Sequence, residues 1–435
     1  MNQIPSPEPV RTRNPWAWVP SLYFAQGLPY VVVMTVSVIM YKRMGISNTD
    51  IALYTSWLYL PWVVKPLWSP FIDMFRTKRF WVVAMQFGVA VALACVALTI
   101  PMPSFFQYTL AVFWLMAFSS ATHDIAADGF YMLGLDQHTQ AAFVGVRSTF
   151  YRIAMITAQG LLVVLAGQIE LSSGGNISLA WSVTFVVLAG VFGLAFLYHR
   201  FILPYPIEDR PVHTNTSGSV LRDFFGTFVL FFKKKNLLPT LAFLLLYRFA
   251  EAQLVKLVSP FLLDARDKGG LGLSTSEVGI VYGTVGIIAL TLGGLLGGYV
   301  ASRKGLKSVL WLMVCSIHFP DAAFVYLSQV QPENFILINL AVAVEQFGYG
   351  FGFTAYMLYM IMVSEGEHKT AHYAICTGFM ALGMMVPGMF SGWLQELIGY
   401  RHFFVWVILS TIPGFIVAAL VKIDPEFGKK KPSTN

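Results

Sequence analysis

Charged side chains are scarce in this chain. They make up 12% of its 435 residues, about half the share that a soluble globular domain carries. Hydrophobic residues make up 56%, and the mean hydropathy is +0.65. So few charges cannot cover the surface of a soluble protein of this size. The composition therefore excludes an ordinary soluble domain and predicts a chain that is solvated mainly by lipid.

Cysteine is also rare, and its pattern excludes two further kinds of site. The three cysteines, Cys95, Cys315 and Cys376, fall in or near apolar segments, and no C-x-x-C spacing occurs. This argues against a disulfide framework and against a cysteine metal centre. The sequence also lacks H-E-x-x-H, G-x-S-x-G and P-loop motifs, which mark several classes of enzyme. We expect no bound metal, no cofactor and no enzymatic activity.

In place of charge, the chain has long apolar segments. Twelve of them are long enough for a bilayer-spanning helix, which takes about 20 residues. They cover approximately residues 16–41, 50–72, 80–101, 105–135, 140–168, 179–203, 237–263, 275–301, 306–328, 334–363, 370–396 and 401–422. The first is too long for a signal peptide and is expected to be retained. The prediction is an all-α polytopic membrane protein with twelve transmembrane helices, joined mostly by short connections.

One connection differs from the others in length and composition. Residues 204–236 contain three prolines, a polar run and three consecutive lysines. Six apolar segments precede this stretch and six follow it. We therefore predict an N-terminal six-helix half over 1–203, a cytoplasmic linker over 204–236, and a C-terminal six-helix half with a cytoplasmic tail over 237–435.

The basic residues are distributed unevenly over the connections. Most of the 29 lysines and arginines lie in alternate loops, in the linker and in the two terminal segments, whereas the opposite loops hold Lys42, Arg43, Arg266, Lys268 and Arg401. Loops rich in Lys and Arg stay on the cytoplasmic side. Both termini are therefore predicted to be cytoplasmic. Because the basic residues are dispersed over loops, the net charge of +7 does not indicate a nucleic-acid partner.

Two aspartates, Asp124 and Asp128, lie inside the fourth apolar segment. A carboxylate near the bilayer centre costs several kcal/mol unless it faces a partner or a watery cavity. The i, i+4 spacing places both on one helix face. Arg152 in the fifth segment is the expected partner of one of them, either as a cavity group or as a structural ion pair. Arg147 is expected to reach the headgroups, and Lys65 is compatible with either the cavity or the interface.

The C-terminal half has interior charges of its own. Arg248 and Glu251 are spaced i, i+3 and are expected to pair, and Glu345 is a lone carboxylate beside a glycine-rich run. Tyr23, Tyr30, Tyr247 and Trp57 are candidates for stacking on sugar rings. His123 and Asp124 are adjacent, so their side chains point about 100° apart and cannot form a catalytic dyad.

The two halves repeat one local pattern. Residues 45–54 and 272–282 each place a Ser or Thr and an acidic residue at a helix start, which is N-cap chemistry. A basic turn follows the helix in each case, at 73–79 and 302–307. This arrangement resembles the major facilitator superfamily, in which the substrate cavity lies between the two halves near the midplane.

More specific motifs resemble the AmpG-type muropeptide permeases of the peptide/acetyl-coenzyme A transporter family. They are residues 24–30 (FAQGLPY), 65–73 (KPLWSPFID), 120–129 (SATHDIAADG), 151–152 (YR), 221–226 (LRDFFG), 247–248 (YR) with Glu251, 276–279 (SEVG), Glu345 and 387–393 (PGMFSGW). The resemblance implies a proton-driven importer in the inner membrane of a Gram-negative bacterium. The implied cargo is N-acetylglucosaminyl-anhydro-N-acetylmuramic acid, with or without its peptide, for cell-wall recycling. Two departures are His123, where glutamine is frequent, and Met384, where a basic residue is expected.

Together the residues and the resemblance give a candidate site. Four carboxylates are expected to couple protons or line the cavity: Asp124, Asp128, Glu251 and Glu345. Seven further residues are expected to bind substrate or form ion pairs: Lys65, Arg152, Arg248, Tyr23, Tyr30, Tyr247 and His123. The expected partners are a small amphipathic or sugar-peptide substrate, protons and the lipid bilayer, with the protein acting as a monomer.

Two alternatives stay open at this stage. The same fold can carry another cargo, such as an oligosaccharide, a siderophore or an acyl-coenzyme A; the last is disfavoured because interior acids are about as numerous as interior bases. A membrane-embedded acyltransferase would need a histidine and an acid on one helix face, and His123 with Asp124 does not provide this.

Overall fold

The computed structural model describes residues 13–210, 226–366 and 368–427, and the regular secondary structure in these ranges is helical. The N-terminal half consists of six transmembrane helices. They are α1 (Pro15–Arg43), α2 (Asn48–Trp57 and Leu60–Phe75), α3 (Lys78–Thr99), α4 (Phe105–Gly134), α5 (His138–Ser172) and α6 (Ile177–Ile202). Residues 211–225 of the predicted linker, including most of the 221–226 motif, lie outside the described residues.

The C-terminal half has six transmembrane helices as well. They are α7 (Leu237–Leu246 and Phe249–Leu263), α8 (Thr275–Lys304), α9 (Leu306–Val330), α10 (Phe335–Ser364), α11 (369–398) and α12 (400–420). The last two follow each other without a loop, but Gly399 separates them with φ 73° and ψ 162°. A side chain would strain this conformation, so glycine suits the turn.

The helix count depends on how breaks are treated. By length and composition, nine helices of the described residues are candidates to cross a membrane, and one of them, Ala371–Leu420, is 50 residues long. A straight helix of that length would measure about 75 Å, against a hydrocarbon core of about 30 Å. Divided at Gly399 it supplies two spans, and the broken helices α2 and α7 supply two more. The described residues therefore confirm the twelve predicted helices.

The repeated cap pattern is present in both halves. The Ser47 hydroxyl accepts from the backbone N–H of Asp50 at 3.0 Å at the start of α2. At the start of α8, Ser274 accepts from the backbone N–H of Glu277 at 3.3 Å, and Glu277 accepts in return from the Ser274 N–H at 2.8 Å. This reciprocal arrangement is a capping box. The predicted helix starts are confirmed.

The two halves are joined tightly at one end of the molecule, which we call the latch end. Lys42 at the end of α1 pairs with Asp264 at the end of α7, with 2.7 Å between Nζ and Oδ1. Asn48 donates to Gln395 at 2.6 Å and to Tyr400 at 2.8 Å. A Cβ on Gly392 would overlap the Asn48 carbonyl, so the absence of a side chain there lets α2 and α11 touch.

The opposite end, which we call the basic end, carries the α2–α3 and α8–α9 connections with their arginines and lysines. Asp128 lies six residues from the α4 terminus at this end, yet its side chain is 42% exposed, and that of Arg147 is 29% exposed. Both groups lie inside the N-terminal half rather than in a loop. The interior charges are therefore accessible near the basic end, whereas contacts between the two halves cover the latch end.

Near the middle, α5 and α8 meet through widened turns. The stretches Ile156–Leu161 in α5 and Gly279–Gly286 in α8 form π-type turns. Gly283 lies so close to the carbonyl of Gln159 that a Cβ would overlap it. Such irregular turns are frequent at functional sites in helices. The π-type turns of α5 and α8 are thus a second place where the two halves are in contact.

Candidate functional site

Asp124 is held by two neighbours from the same half. The Lys65 ammonium on α2 forms an ion pair with one carboxylate oxygen, and the Gln26 amide on α1 donates to the other. The side chains of Asp124 and Lys65 are each 23% exposed. Lys65 thus belongs to the interior and not to the membrane interface. Lys65 comes directly before Pro66, and Pro66 and Pro70 both lie inside this part of α2.

Asp128 has a separate set of partners one turn further along α4. Arg147 donates to it at 2.8 Å and Tyr23 at 3.1 Å. The Arg147 guanidinium also lies over the rings of Tyr23 and Tyr131, at 4.3 Å and 4.5 Å from their centroids. Our expectation that Arg147 reaches the headgroups is therefore wrong. A cation enclosed by two rings and a carboxylate is fixed in place.

Arg152 does not pair with either aspartate, so this expectation is also wrong. It donates instead to the Thr291 hydroxyl on α8, in the other half, at 3.2 Å. Within the described part of the chain no carboxylate lies within ion-pair distance of it. The reason is helical geometry, since Arg147 takes the position facing Asp128 and Arg152, five residues on, points about 140° away.

His123 turns into the N-terminal half and away from the space between the halves. It is 3% exposed and lies 3.0 Å from the Gln86 amide nitrogen. Gln86 in turn contacts His199 at 2.9 Å, and His199 contacts Ser21 at 2.9 Å. This chain joins α4, α3, α6 and α1, so His123 packs the half together. The structure does not bring it to the cavity.

Helix α7 is interrupted at Tyr247 and Arg248, and this separates two predicted site residues. Tyr247 is fully buried in the packing with α10, where its hydroxyl donates to the Gly352 carbonyl at 3.0 Å. Arg248 donates to the Tyr349 hydroxyl and lies 4.8 Å from the ring centroid of Phe353. Arg248 has the non-helical φ −109° and ψ 22°, so the i, i+3 rule does not bring it to Glu251. The predicted Arg248–Glu251 pair is wrong.

Glu251 lies instead in a cluster of three carboxylates. One oxygen each from Glu251, Asp321 and Glu345 lie within 4.8 Å of one another, and all three side chains are buried. Gln346 donates to Glu345 at 3.0 Å. Among the residues that the structure describes, both oxygens of Glu251 and of Asp321 lack a hydrogen-bond partner. This carboxylate cluster brings together side chains from α7, α9 and α10 in the interior of the C-terminal half.

Tyr30 and Trp57, two candidates for ring stacking, have open environments. Tyr30 is half-buried and meets Trp62 edge to face, with 5.2 Å between ring centroids. Trp57 is 40% exposed at the break in α2. Tyr23 has its hydroxyl on Asp128 and is 2% exposed. Tyr30 and Trp57 therefore combine a polar tip with partial access, whereas Tyr23 does not.

The sequence of this chain matches the family model described as Major Facilitator Superfamily over residues 21–364. This range covers most of the chain and runs through both halves. The chain belongs to the Major Facilitator Superfamily. As a member of this superfamily with twelve helices, it is a multi-pass membrane transporter.

Relatives that are similar over most of their length carry more specific names. The anhydromuropeptide permease of Escherichia coli (strain K12) is 25% identical over 416 residues, which cover 93% of this chain and 79% of the relative. The putative transporter AmpG 4 of Rickettsia conorii is 25% identical over 411 residues, covering 91% of this chain and 94% of the relative.

Solved structures support the fold. The nucleoside transporter NupG (D323A mutant) superposes with a TM-score of 0.69 at 17% identity, covering 93% of this chain and 99% of that one. A bacterial homolog of the human lysosomal transporter Spinster, in an inward-facing and unoccupied conformation, gives a TM-score of 0.66 at 15% identity, covering 93% and 94%.

In a transporter of this superfamily the arrangement has two chemical capacities. Carboxylates without a cation partner can take up and release protons, and cations and tyrosines facing the space between the halves can hold a polar cargo. Asp321 is not among the site residues expected from the sequence. A signal was present, because Asp321 follows Pro320 in the interior of the ninth apolar segment, where an ionisable residue indicates function by default.

Proposed function

We propose that the protein imports anhydro-muropeptides together with protons. The cargo is N-acetylglucosaminyl-anhydro-N-acetylmuramic acid, with or without its peptide, and the membrane is the inner membrane of a Gram-negative bacterium. The observation that carries the proton coupling is the buried carboxylate cluster of Glu251, Asp321 and Glu345. The cargo is supported by the name of the Escherichia coli relative, which this chain matches over 79% of that relative's length.

Electrostatics favours protons as the coupled ion. Two ionised carboxylates about 5 Å apart repel by about 3 kcal/mol at an effective dielectric constant of 20. Three such groups, with no cation bridged to them among the described residues, therefore share at least one proton when buried. A single sodium ion would leave two negative charges in the cluster, whereas protons can neutralise all of it. We infer that the cluster is loaded with protons when it is closed off from water.

The N-terminal half has a different part in this scheme. Lys65 and Arg147 neutralise Asp124 and Asp128 within the half, so these aspartates keep their charge through the cycle. Arg152, and Arg248 of the C-terminal half, donate to hydroxyls and form no ion pair among the described residues, so we assign them to the carboxylates of the cargo. Tyr30 offers a ring for the sugars.

The orientation follows from the charges at the two ends. Basic loops stay in the cytoplasm, so we place the basic end and both termini there, and the latch end in the periplasm. The proposed boundaries of the halves are 1–203 and 237–435, with 204–236 as a cytoplasmic linker. Closure at the latch end then corresponds to the state that releases cargo into the cytoplasm. We propose that one chain is sufficient for this cycle.

Uptake into proteoliposomes tests the proposal directly. The purified protein should accumulate radiolabelled GlcNAc-anhydroMurNAc against its gradient when the outside is acidic, and a protonophore should abolish this. Replacing sodium by choline should have no effect. Uptake that is unchanged after collapse of both the pH gradient and the membrane potential would contradict the coupling.

A thermal-shift screen tests the cargo separately. GlcNAc-anhydroMurNAc should raise the Tm of the purified protein, because a ligand that binds the folded state stabilises it. Chito-oligosaccharides and acyl-coenzyme A are the comparison ligands. A shift with one of these, and none with the anhydro-disaccharide, would replace the proposed cargo by that class.

A further inference from the structure

Lys256 on α7 is buried at the contact between the two halves. It is 4% exposed, and its ammonium donates to the Thr55 hydroxyl on α2 at 3.0 Å. The same nitrogen lies 5.5 Å from the ring centroid of Tyr59, also on α2. A lysine of the C-terminal half therefore rests on two uncharged groups of the N-terminal half.

Within the described part of the chain, this environment leaves most of the hydrogen-bonding capacity of the Lys256 ammonium unused and gives its charge no counterion. The group has three donors, and among the described residues Thr55 is its one hydrogen-bond acceptor and no carboxylate lies within ion-pair distance. Gly388 of α11 packs against the same place, because a Cβ there would lie only 2.8 Å from the Ser56 hydroxyl and in ordinary contact, at 3.6 Å, with Lys256 Cε. A packed apolar side chain would serve stability better at this position.

Lys256 lies close to the latch end, so its surroundings depend on whether that end is closed. It lies eight residues, about 12 Å along the helix, from Asp264, which receives Lys42 and Tyr400 at the latch end. The contacts that close the latch end therefore also cover Lys256. Separation of α7 and α11 from α2 would break the Thr55 contact and open the ammonium to the space between the halves.

We propose that Lys256 binds a carboxylate of the cargo, and that it is offered to the cargo when the latch end opens and withdrawn when it closes. An ammonium has donors and no acceptor, so its ligand is an anion or a hydroxyl, and an anion matches its charge. This inference rests on the proposed function, since it assigns Lys256 to the loading side of the same transport path. Arg152 and Arg248 remain available on the release side.

The test compares two cargoes that differ by one charge. GlcNAc-anhydroMurNAc carries a carboxylate on its lactyl group, and its methyl ester does not. A charge-assisted hydrogen bond lost to Lys256→Met should raise the KM for the acid about 10-fold, with the KM for the ester nearly unchanged. Lys256→Arg should keep the preference for the acid.

Lys42→Met is the matched control, because it also removes a lysine contact between the halves. Its loss weakens closure, and we expect it to alter uptake of acid and ester equally. If Lys256→Met also alters both cargoes equally, the residue is part of the latch and the inference is overturned. If the wild-type protein transports neither compound, the proposed function fails and this inference fails with it.

Chemical rescue gives a second readout that does not depend on the methyl ester. Lys256→Cys is made in a background in which Cys95, Cys315 and Cys376 are replaced by alanine. With 2-aminoethyl methanethiosulfonate the thiol forms a mixed disulfide that carries an ammonium, releasing methanesulfinate and a proton. Methyl methanethiosulfonate adds a neutral group in the same way. Uptake of the acid should return with the first reagent and not with the second; equal effects of the two reagents would overturn the inference.

Discussion

The two halves of the molecule hold their interior carboxylates in different ways. In the N-terminal half, Asp124 and Asp128 each have a basic partner, Lys65 and Arg147. In the C-terminal half, Glu251, Asp321 and Glu345 face one another, while Arg248 faces tyrosine and phenylalanine rings. Paired charges fix a structure, whereas clustered acids change their charge easily. From this difference we assign a structural role to the two aspartates of the N-terminal half and proton exchange to the carboxylate cluster of the C-terminal half.

The largest effect on stability is expected from Lys65→Met. The substitution leaves Asp124 partly buried without its ammonium, and we expect the free energy of unfolding to fall by about 2 kcal/mol, less than the 3–5 kcal/mol for a fully buried pair. The measurement is Tm in detergent. Lys65→Met combined with Asp124→Asn should recover most of the loss, and a double variant as unstable as the single one would show that the pair is not the cause.

A smaller loss is expected from Arg147→Met, because the carboxylate that it leaves is 42% exposed and water can replace the partner. About 1 kcal/mol is the range of exposed pairs. Arg147→Lys, which keeps the charge, is the control. A loss as large as that of Lys65→Met would mean that Asp128 is closed off from water.

The helix caps offer a comparison of the halves that does not involve the site. Ser274→Ala removes one side of a reciprocal capping box, and Ser47→Ala removes a hydroxyl that caps α2. Each should cost about 1 kcal/mol. Ser274→Thr and Ser47→Thr keep the hydroxyl and should cost less, and equal losses in the alanine and threonine variants would assign the effect to packing.

The smallest effect on stability is expected from Glu251→Gln. The change removes a charge that has no cation bridged to it among the described residues, so Tm should stay the same or rise slightly. Lys65→Met, assayed in parallel, should lower Tm and is the comparison variant. A clear fall in Tm would show that Glu251 is held by a partner in the way that Asp124 is.

Much of the fold follows from local patterns in the sequence. Twelve helices are set by apolar length, and the caps at Ser47 and Ser274 are set by hydroxyl and acid spacing. The interior location of Asp124 and Glu345 is likewise expected from their apolar surroundings, whereas the sequence leaves Lys65 open between the cavity and the interface. These features depend on residues close in the chain, which is why the sequence is sufficient for them.

The partners of the charges depend on longer-range geometry. Arg147 and Arg152 are both on α5, and the direction in which each points decides which one meets Asp128. The break at Arg248 removes the spacing rule on which its pairing with Glu251 relied. The carboxylate cluster requires three helices to meet. Neither apolar length nor spacing within one helix can supply such information.

The most direct test of the assignment compares uphill uptake with counterflow for Glu345→Gln and Asp124→Asn in proteoliposomes. Counterflow exchanges cargo without net proton movement, so it isolates the conformational cycle from the coupling. We expect Glu345→Gln to lose uphill accumulation of GlcNAc-anhydroMurNAc and to keep counterflow, whereas Asp124→Asn should change both together. If Glu345→Gln still accumulates cargo on a proton gradient, or if Asp124→Asn is the variant that separates the two activities, the division of roles between the halves is contradicted.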